Sequence, residues 1–128
     1  MAEEQSLRPM ANLLSAVREG SASVEMRAED FVYIDRDCEY FKAVIQQIQA
    51  LADLIARQPH WGLGEGNSEM ISATTVVGRF KQKAKGASDQ NSVWEAMDQH
   101  FKIVEDIQEV HRIARERMMQ ADSDFAAE

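Results

Sequence analysis

The sequence has little of what marks several large classes of protein. It has one cysteine, Cys38, so no disulfide can form within the chain and packing alone must hold the fold. Only two prolines and six glycines interrupt its 128 residues, and strand-favouring runs are scarce. No apolar run approaches the ~20 residues that cross a bilayer, and the acidic start does not resemble a secretory leader. We therefore expect neither a membrane span nor classical export.

Positive charge is scarce as well. The formal net charge is -8, and the densest basic segment is the loose cluster of Arg79, Lys81, Lys83 and Lys85. Since nucleic-acid binders need a dense basic surface, nucleic acid is not an expected partner. Helix-favouring Ala, Glu, Gln, Met and Arg are plentiful, and 45% of the residues are hydrophobic, which predicts an all-α fold with one modest core.

An apolar stripe predicts one long helix, which begins at a Ser23 cap and ends near Gln58, before Pro59. Apolar residues recur at alternating steps of three and four, the spacing of a helix that packs along a partner. The stripe consists of Phe31, Ile34, Cys38, Phe41, Ile45, Ile48, Ala52 and Ile55. A second apolar row widens this face beyond what one neighbouring helix would cover, and it is the predicted partner interface. That row consists of Tyr40, Val44, Leu51 and Leu54.

Residues 59–67 predict the bend of a long antiparallel helical hairpin, because they hold a proline and three of the six glycines. A second helix is predicted from Asn67 or Ser68 to about Lys85, where residues 86–91 interrupt it. Trp61 lies in the bend and outside every stripe, so it either plugs the end of the bundle or is presented to a partner.

Ser92 and Glu95 have the spacing of a capping box, which predicts a third helical segment that continues the second arm to residue 118. The hairpin domain is thus predicted over residues 23–118. We expect residues 1–22 to be flexible or to form a short helix, and residues 119–128 to be an acidic, flexible tail.

No group of residues predicts catalysis, a cofactor or a metal. His100 and His111 share a predicted helical face, but eleven residues place them ~16 Å apart, too far for one ion. Neither follows a glutamate by three residues, as ligands in carboxylate-rich bundles do. Cys38 lies in the apolar stripe without a histidine nearby in sequence to activate it. The predicted protein is therefore not an enzyme.

The order of long helix, Trp-Gly bend, second helix and acidic tail, over roughly residues 23 to 125, resembles the WXG-type substrates of the actinobacterial type VII (ESX) secretion system. The resemblance implies hairpins that dimerise into four-helix bundles and leave the cell folded, without a cleaved signal peptide. It also implies a two-part export signal, Trp-x-Gly in the bend and Tyr-x-x-x-Asp/Glu after the second helix.

Carried onto this chain, the resemblance assigns Trp61 to the tryptophan position and Asp122 to the acidic position. The strict spacing requires glycine at position 63, which is Leu63, whereas Gly62 and Gly64 lie on either side. Met118 stands where the family has tyrosine. Tyr33 and Asp37 also fit the tyrosine motif, but they lie inside the first predicted helix, and we interpret that match as chance.

Two functions follow from the resemblance. In the first, the protein is exported or co-exported by the type VII machinery and acts by pairing with a helical partner, as a homo- or heterodimer. In the second, it is a cytoplasmic adaptor or chaperone that pairs with the helical export domain of a larger effector. Both use the same faces, so the sequence leaves both open.

Overall fold

A computed structural model describes residues 8–23 and 26–127, and all regular secondary structure in these ranges is helical. The helices are α1 (Ala11–Glu19), α2 (Ala28–Arg57), α3 (Ile71–Ala84) and α4 (Val93–Ala127). The predicted all-α fold is confirmed. None of the helices in the described ranges combines the length and the apolarity that a bilayer crossing needs.

The chain divides into two compact units. The first contains residues 1–43 and 99–128, and the second contains residues 44–98. α2 and α4 each pass from one unit into the other. Each unit therefore contains about half of α2. The domain boundaries that the sequence predicts at residues 22 and 118 stay predictions.

In the first unit, α2 and α4 lie antiparallel. Phe31 contacts His111 edge to face, with 6.2 Å between ring centroids. Further along α2, the Lys42 ammonium lies 5.8 Å from the centroid of the Phe101 ring. As the residue number along α2 rises, the number of the residue that it contacts on α4 falls. The two helices are therefore antiparallel, as predicted for the hairpin.

The short helix α1 packs on the same part of α4. Its residues Leu14 and Val17 are buried in one cluster with Val110. Gly20 ends the helix with φ +85°, and the amides of Gly20 and Ser21 donate to the last free carbonyls of α1. A left-handed glycine is the usual way to close a helix because it has no Cβ to clash. The short helix expected within residues 1–22 is present, while residues 1–7 lie outside the described ranges.

Asp106 is the most deeply buried charged group of the first unit, with 1% of its surface exposed. The Arg8 guanidinium donates two hydrogen bonds to Asp106 Oδ1, from Nη2 at 2.5 Å and from Nε at 3.1 Å. A buried carboxylate requires such donors, because its transfer from water is costly unless it is paired. This contact fixes the chain before α1 against α4.

In the second unit, α2 again runs antiparallel to the other arm. Gln49 Nε2 donates to the carbonyl oxygen of Trp94 at 3.2 Å, and Lys85 Nζ lies 2.9 Å from Asp53 Oδ1. The Lys85 ammonium also lies 4.9 Å from the centroid of the Trp94 ring. Hydrogen bonds from Lys85 and Arg57 lower the pKa of Asp53 below its ordinary value. Lys85 thus links the end of α3 to both long helices.

The predicted interruption of the second arm is confirmed, but the predicted capping box is wrong. α3 ends at Ala84 and α4 begins at Val93, directly after Ser92. The buried Ser92 hydroxyl forms no hydrogen bond with any described residue. Glu95 Oε1 instead accepts from the amide of Gly86 at 2.9 Å, so this carboxylate closes the loop and does not cap its own helix.

Two predicted helix ends also differ from the structure. α2 begins at Ala28, so Ser23 is not its cap. α4 continues to Ala127, so the predicted flexible tail is helical, with every side chain from 119 to 126 exposed. The loss of an apolar stripe does not end a helix by itself, and no glycine or proline follows Ser92 to stop propagation.

We predict that Arg8→Ala lowers the free energy of unfolding by ~1–3 kcal/mol, because it leaves the buried Asp106 carboxylate without its donors. Urea denaturation followed by circular dichroism measures the change. Arg36→Ala is the control, because Arg36 is exposed and pairs with its neighbour Asp37. If both substitutions changed the free energy equally, the contact with Asp106 would not stabilise the fold.

Candidate interaction surface

Only half of the predicted α2 stripe is buried. The buried members are seven residues apart, at Phe31, Cys38, Ile45 and Ala52. Of the members between them, Ile34 is half-buried, whereas Phe41, Ile48 and Ile55 are exposed. A seven-residue repeat keeps one row of a helix directed at its neighbour. The rest of the stripe is left to solvent.

The predicted partner row is largely exposed as well. Tyr40, Leu51 and Leu54 are exposed, at 61% for Leu51, and Val44 is half-buried. In the second unit this row joins the uncovered part of the stripe into one apolar surface, here called the α2 face. The α2 face consists of Val44, Ile48, Leu51, Leu54 and Ile55. Isolated exposed apolar side chains are ordinary, but a continuous patch of this kind is typical of an interaction site.

The bend places Trp61 against α3. The Trp61 ring is half-buried and stacks on Phe80, with 6.1 Å between centroids and 5° between the planes. Trp61 Nε1 donates to the carbonyl oxygen of Gln58 at 3.2 Å, which satisfies its polar atom. Phe80 keeps 49% of its surface exposed, so the stacked pair still presents an aromatic edge to solvent.

The carboxylate of Glu65 holds the bend from within. Its two oxygens accept from the amides of Trp61 at 2.9 Å and Leu63 at 3.0 Å. These backbone hydrogen bonds, Leu63 first, lower the pKa of Glu65 below its ordinary value of 4.5. Sequence reasoning missed this residue. Its position two residues after the glycine-flanked Leu63, among amides that lack helical partners, is the signal that could have indicated it.

The glycines of the bend are required by its backbone. Gly62, Gly64 and Gly66 all have positive φ, from +77° to +95°. At Gly64 a Cβ atom would also lie 2.6 Å from Met70 Sδ. Leu63, at the position where the family motif requires glycine, is exposed and does not have a positive φ.

The remaining predicted motif residues lie in the first unit. Asp122 is exposed on α4, and Met118, in the position of the family's tyrosine, is half-buried one turn earlier. Tyr33 and Asp37 lie inside α2, as the sequence predicts. They are therefore not in the place that the export motif occupies in the family.

His111 and Cys38 have ordinary packing environments, and His60 and His100 are exposed. His111 Nδ1 lies 2.7 Å from the carbonyl oxygen of Ile107, and its ring contacts Phe31. Burial, with the nearby Asp35 carboxylate, raises the pKa of the Cys38 thiol, which is the opposite of what a reactive cysteine needs. The described residues contain no group of three or more side chains placed to hold a metal ion.

No protein-family model matches the chain, and no curated protein or solved structure matches it. The candidate surfaces are therefore supported by the chain's own residues alone. The α2 face and the bend with its stacked aromatic pair are features of the second unit that a partner could recognise. The WXG resemblance stays a prediction.

We predict that the bend loosens in acid through Glu65. The folded bend lowers the pKa of the Glu65 carboxyl. The hydrogen bonds that the ionised carboxylate accepts therefore stabilise the bend above pH 4.5, and this stabilisation is lost as the pH falls through the lowered pKa. Fluorescence of Trp61, measured in a Trp94→Phe background, should change in that range while the far-ultraviolet circular dichroism is still native.

Glu65→Gln should remove this transition, since an amide does not ionise in this range. Glu69→Gln, a nearby exposed residue, is the matched control and should keep the transition. The same fluorescence change in the Glu65→Gln protein would assign the transition to another group.

Proposed function

We propose that this chain is a WXG-like protein, exported or co-exported by a type VII secretion system, that acts by pairing its α2 face with a second helical hairpin. It needs no catalytic group for this role. The partner would lie along α2 and complete a four-helix bundle, the assembly that the resemblance implies.

The observation that carries the proposal is the uncovered apolar row of α2. Leu51, Leu54 and Ile55 are exposed within little more than one turn of α2, and the half-buried Val44 lies two turns before Leu51 on the same side. A straight helix partner with apolar residues at steps of three and four would cover such a row. Burying it would contribute ~25 cal/mol per Å² of apolar surface, less the ordering cost of association.

The bend supports the same proposal independently. Trp-x-Gly in the bend is the family's first export element, and this chain approaches it with Trp61 between α2 and α3, followed by Gly62 and Gly64. The Trp61 ring is held in one orientation by Phe80 and Gln58. The helical α4 end presents Asp122 to solvent, where the secretion machinery could read it. The departures at Leu63 and Met118 favour co-export with a partner that supplies a complete signal.

Leu51→Asp tests the pairing. We expect it to weaken the dimer ~30-fold or more, since truncation of a central interface residue often costs ~2 kcal/mol. At a concentration where both proteins are monomeric, its melting temperature should change little, because Leu51 is 61% exposed in the lone chain. Size-exclusion chromatography with light scattering measures the dimer, alone and with a candidate partner.

Gln46→Asp is the matched control, because it adds the same charge to an exposed position of α2 that lies ~140° around the helix from Leu51. It should leave association unchanged. A chain that is monomeric with every helical partner tested, or a dimer insensitive to Leu51→Asp, would contradict the proposal.

Export is tested by comparing culture filtrate with lysate in strains with and without a functional type VII system. We expect the full chain in the filtrate only when the system is intact. A chain cut after Arg117 should still reach the filtrate if a partner supplies the signal, and should stay in the lysate if this chain carries the signal itself. Circular dichroism of the shortened chain shows that it is still helical. If the full chain is found only in the lysate, the adaptor function replaces the proposed one.

A further inference from the structure

α3 is a basic helix in an acidic protein. Between Ile71 and Ala84 it contains Arg79, Lys81 and Lys83 and no acidic residue, although the whole chain has a net charge of -8. Among the described residues none forms an ion pair with any of these three. Lys81 and Lys83 lie near the negative end of the α3 dipole, but no described side chain pairs with them or with Arg79.

Two of these basic residues flank exposed apolar side chains on one side of α3. Val77 and Ala84, on the neighbouring side of α3, are buried. The exposed side carries residues at steps of three, four and seven, which places them in one line along the helix. This line, here called the α3 strip, consists of Val76, Arg79, Phe80 and Lys83. Phe80 extends it to the stacked ring of Trp61.

The end of α4 has the complementary character. Residues 119–126 are exposed throughout, with Asp122 and Asp124 as their charges and Phe125 81% exposed. Asp122 and Phe125 are three residues apart and therefore lie on one side of the helix. The last turn holds no basic residue, so these carboxylates lie near the negative end of the helix dipole. An isolated helix is weakened by that arrangement, and a cationic partner would relieve it.

We infer that the α3 strip of one copy of this protein binds the α4 end of a second copy. Arg79 and Lys83 would face Asp122, and Phe125, on the same side of α4 as Asp122, would cover Val76 and Phe80. Phe125 has 81% of its surface exposed, and Phe80 has 49% exposed. This contact uses neither the α2 face nor any residue of the predicted dimer row, and it goes beyond the proposed function.

The composition of α3 favours a protein segment over an anionic membrane. A helix that lies on a bilayer needs a wide apolar face, but α3 turns Val77 and Ala84 inward. Its exposed surface also carries the polar residues Ser72, Thr75 and Gln82 beside the apolar side chains, so its apolar face is narrow. The net charge of -8 would also oppose approach to an anionic surface.

A charge exchange tests the contact. One variant carries Arg79→Glu and Lys83→Glu, and the other carries Asp122→Lys. Both are made in the Leu51→Asp background, which removes pairing through the α2 face. By sedimentation velocity at low salt, we expect each variant alone to self-associate at least ~10-fold more weakly than the Leu51→Asp parent.

An equimolar mixture of the two variants should recover association. The basic α3 strip that one variant keeps can then bind the acidic α4 end that the other variant keeps. Arg36→Glu, on the exposed side of α2, is the matched control and should behave like the parent. Phe125→Ser should weaken association with an unchanged melting temperature, because this side chain is almost fully exposed.

Three results would overturn the inference: parent-like association of either charge variant alone, no recovery in the mixture, or a parent that is monomeric at every concentration. Cosedimentation with phosphatidylglycerol vesicles that is lost only in the Arg79→Glu, Lys83→Glu variant would also overturn it, in favour of a lipid surface. Failure of pairing through Leu51 is measured separately, so the two proposals can fail independently.

Discussion

The structure depends on one constraint: α2 has more apolar surface than its own chain covers. A thirty-residue helix presents apolar side chains over more than one row, and a single antiparallel neighbour covers one row. The covered row repeats every seven residues from Phe31 to Ala52. All that follows about pairing comes from the side chains next to that row, which have no partner among the described residues.

Each unit adds its own means of fixing the hairpin. In the first, the buried Asp106 carboxylate and the Leu14, Val17 and Val110 cluster hold α1 on α4. In the second, Lys85 joins Asp53 to the ring of Trp94, and Glu65 closes the bend. Polar groups thus do much of the positioning, as expected of a small protein whose core consists mainly of small and medium side chains.

Periodicity predicted what depends on the repeat, namely the helical class, the end of α2 and the interruption between α3 and α4. It could not predict which row of the α2 stripe would be buried, because Phe41 and Cys38 are equivalent in a three-and-four pattern. Local motifs were less reliable. Ser23 and the pair Ser92 and Glu95 have capping chemistry, but the partner that Glu95 binds, the Gly86 amide, is brought near only by the folded loop.

The bend explains why this chain departs from the Trp-x-Gly pattern by one position. Gly64 is fixed by its φ of +95° and by the nearby Met70 sulfur, whereas Leu63 has an ordinary backbone. Exchanging Leu63 and Gly64 would restore the Trp-x-Gly spacing in the sequence. It would also place leucine at position 64 in a left-handed backbone conformation, with its Cβ against the Met70 sulfur. The offset glycine is therefore a property of the turn's shape, and the family motif could be recreated here only by rebuilding the loop.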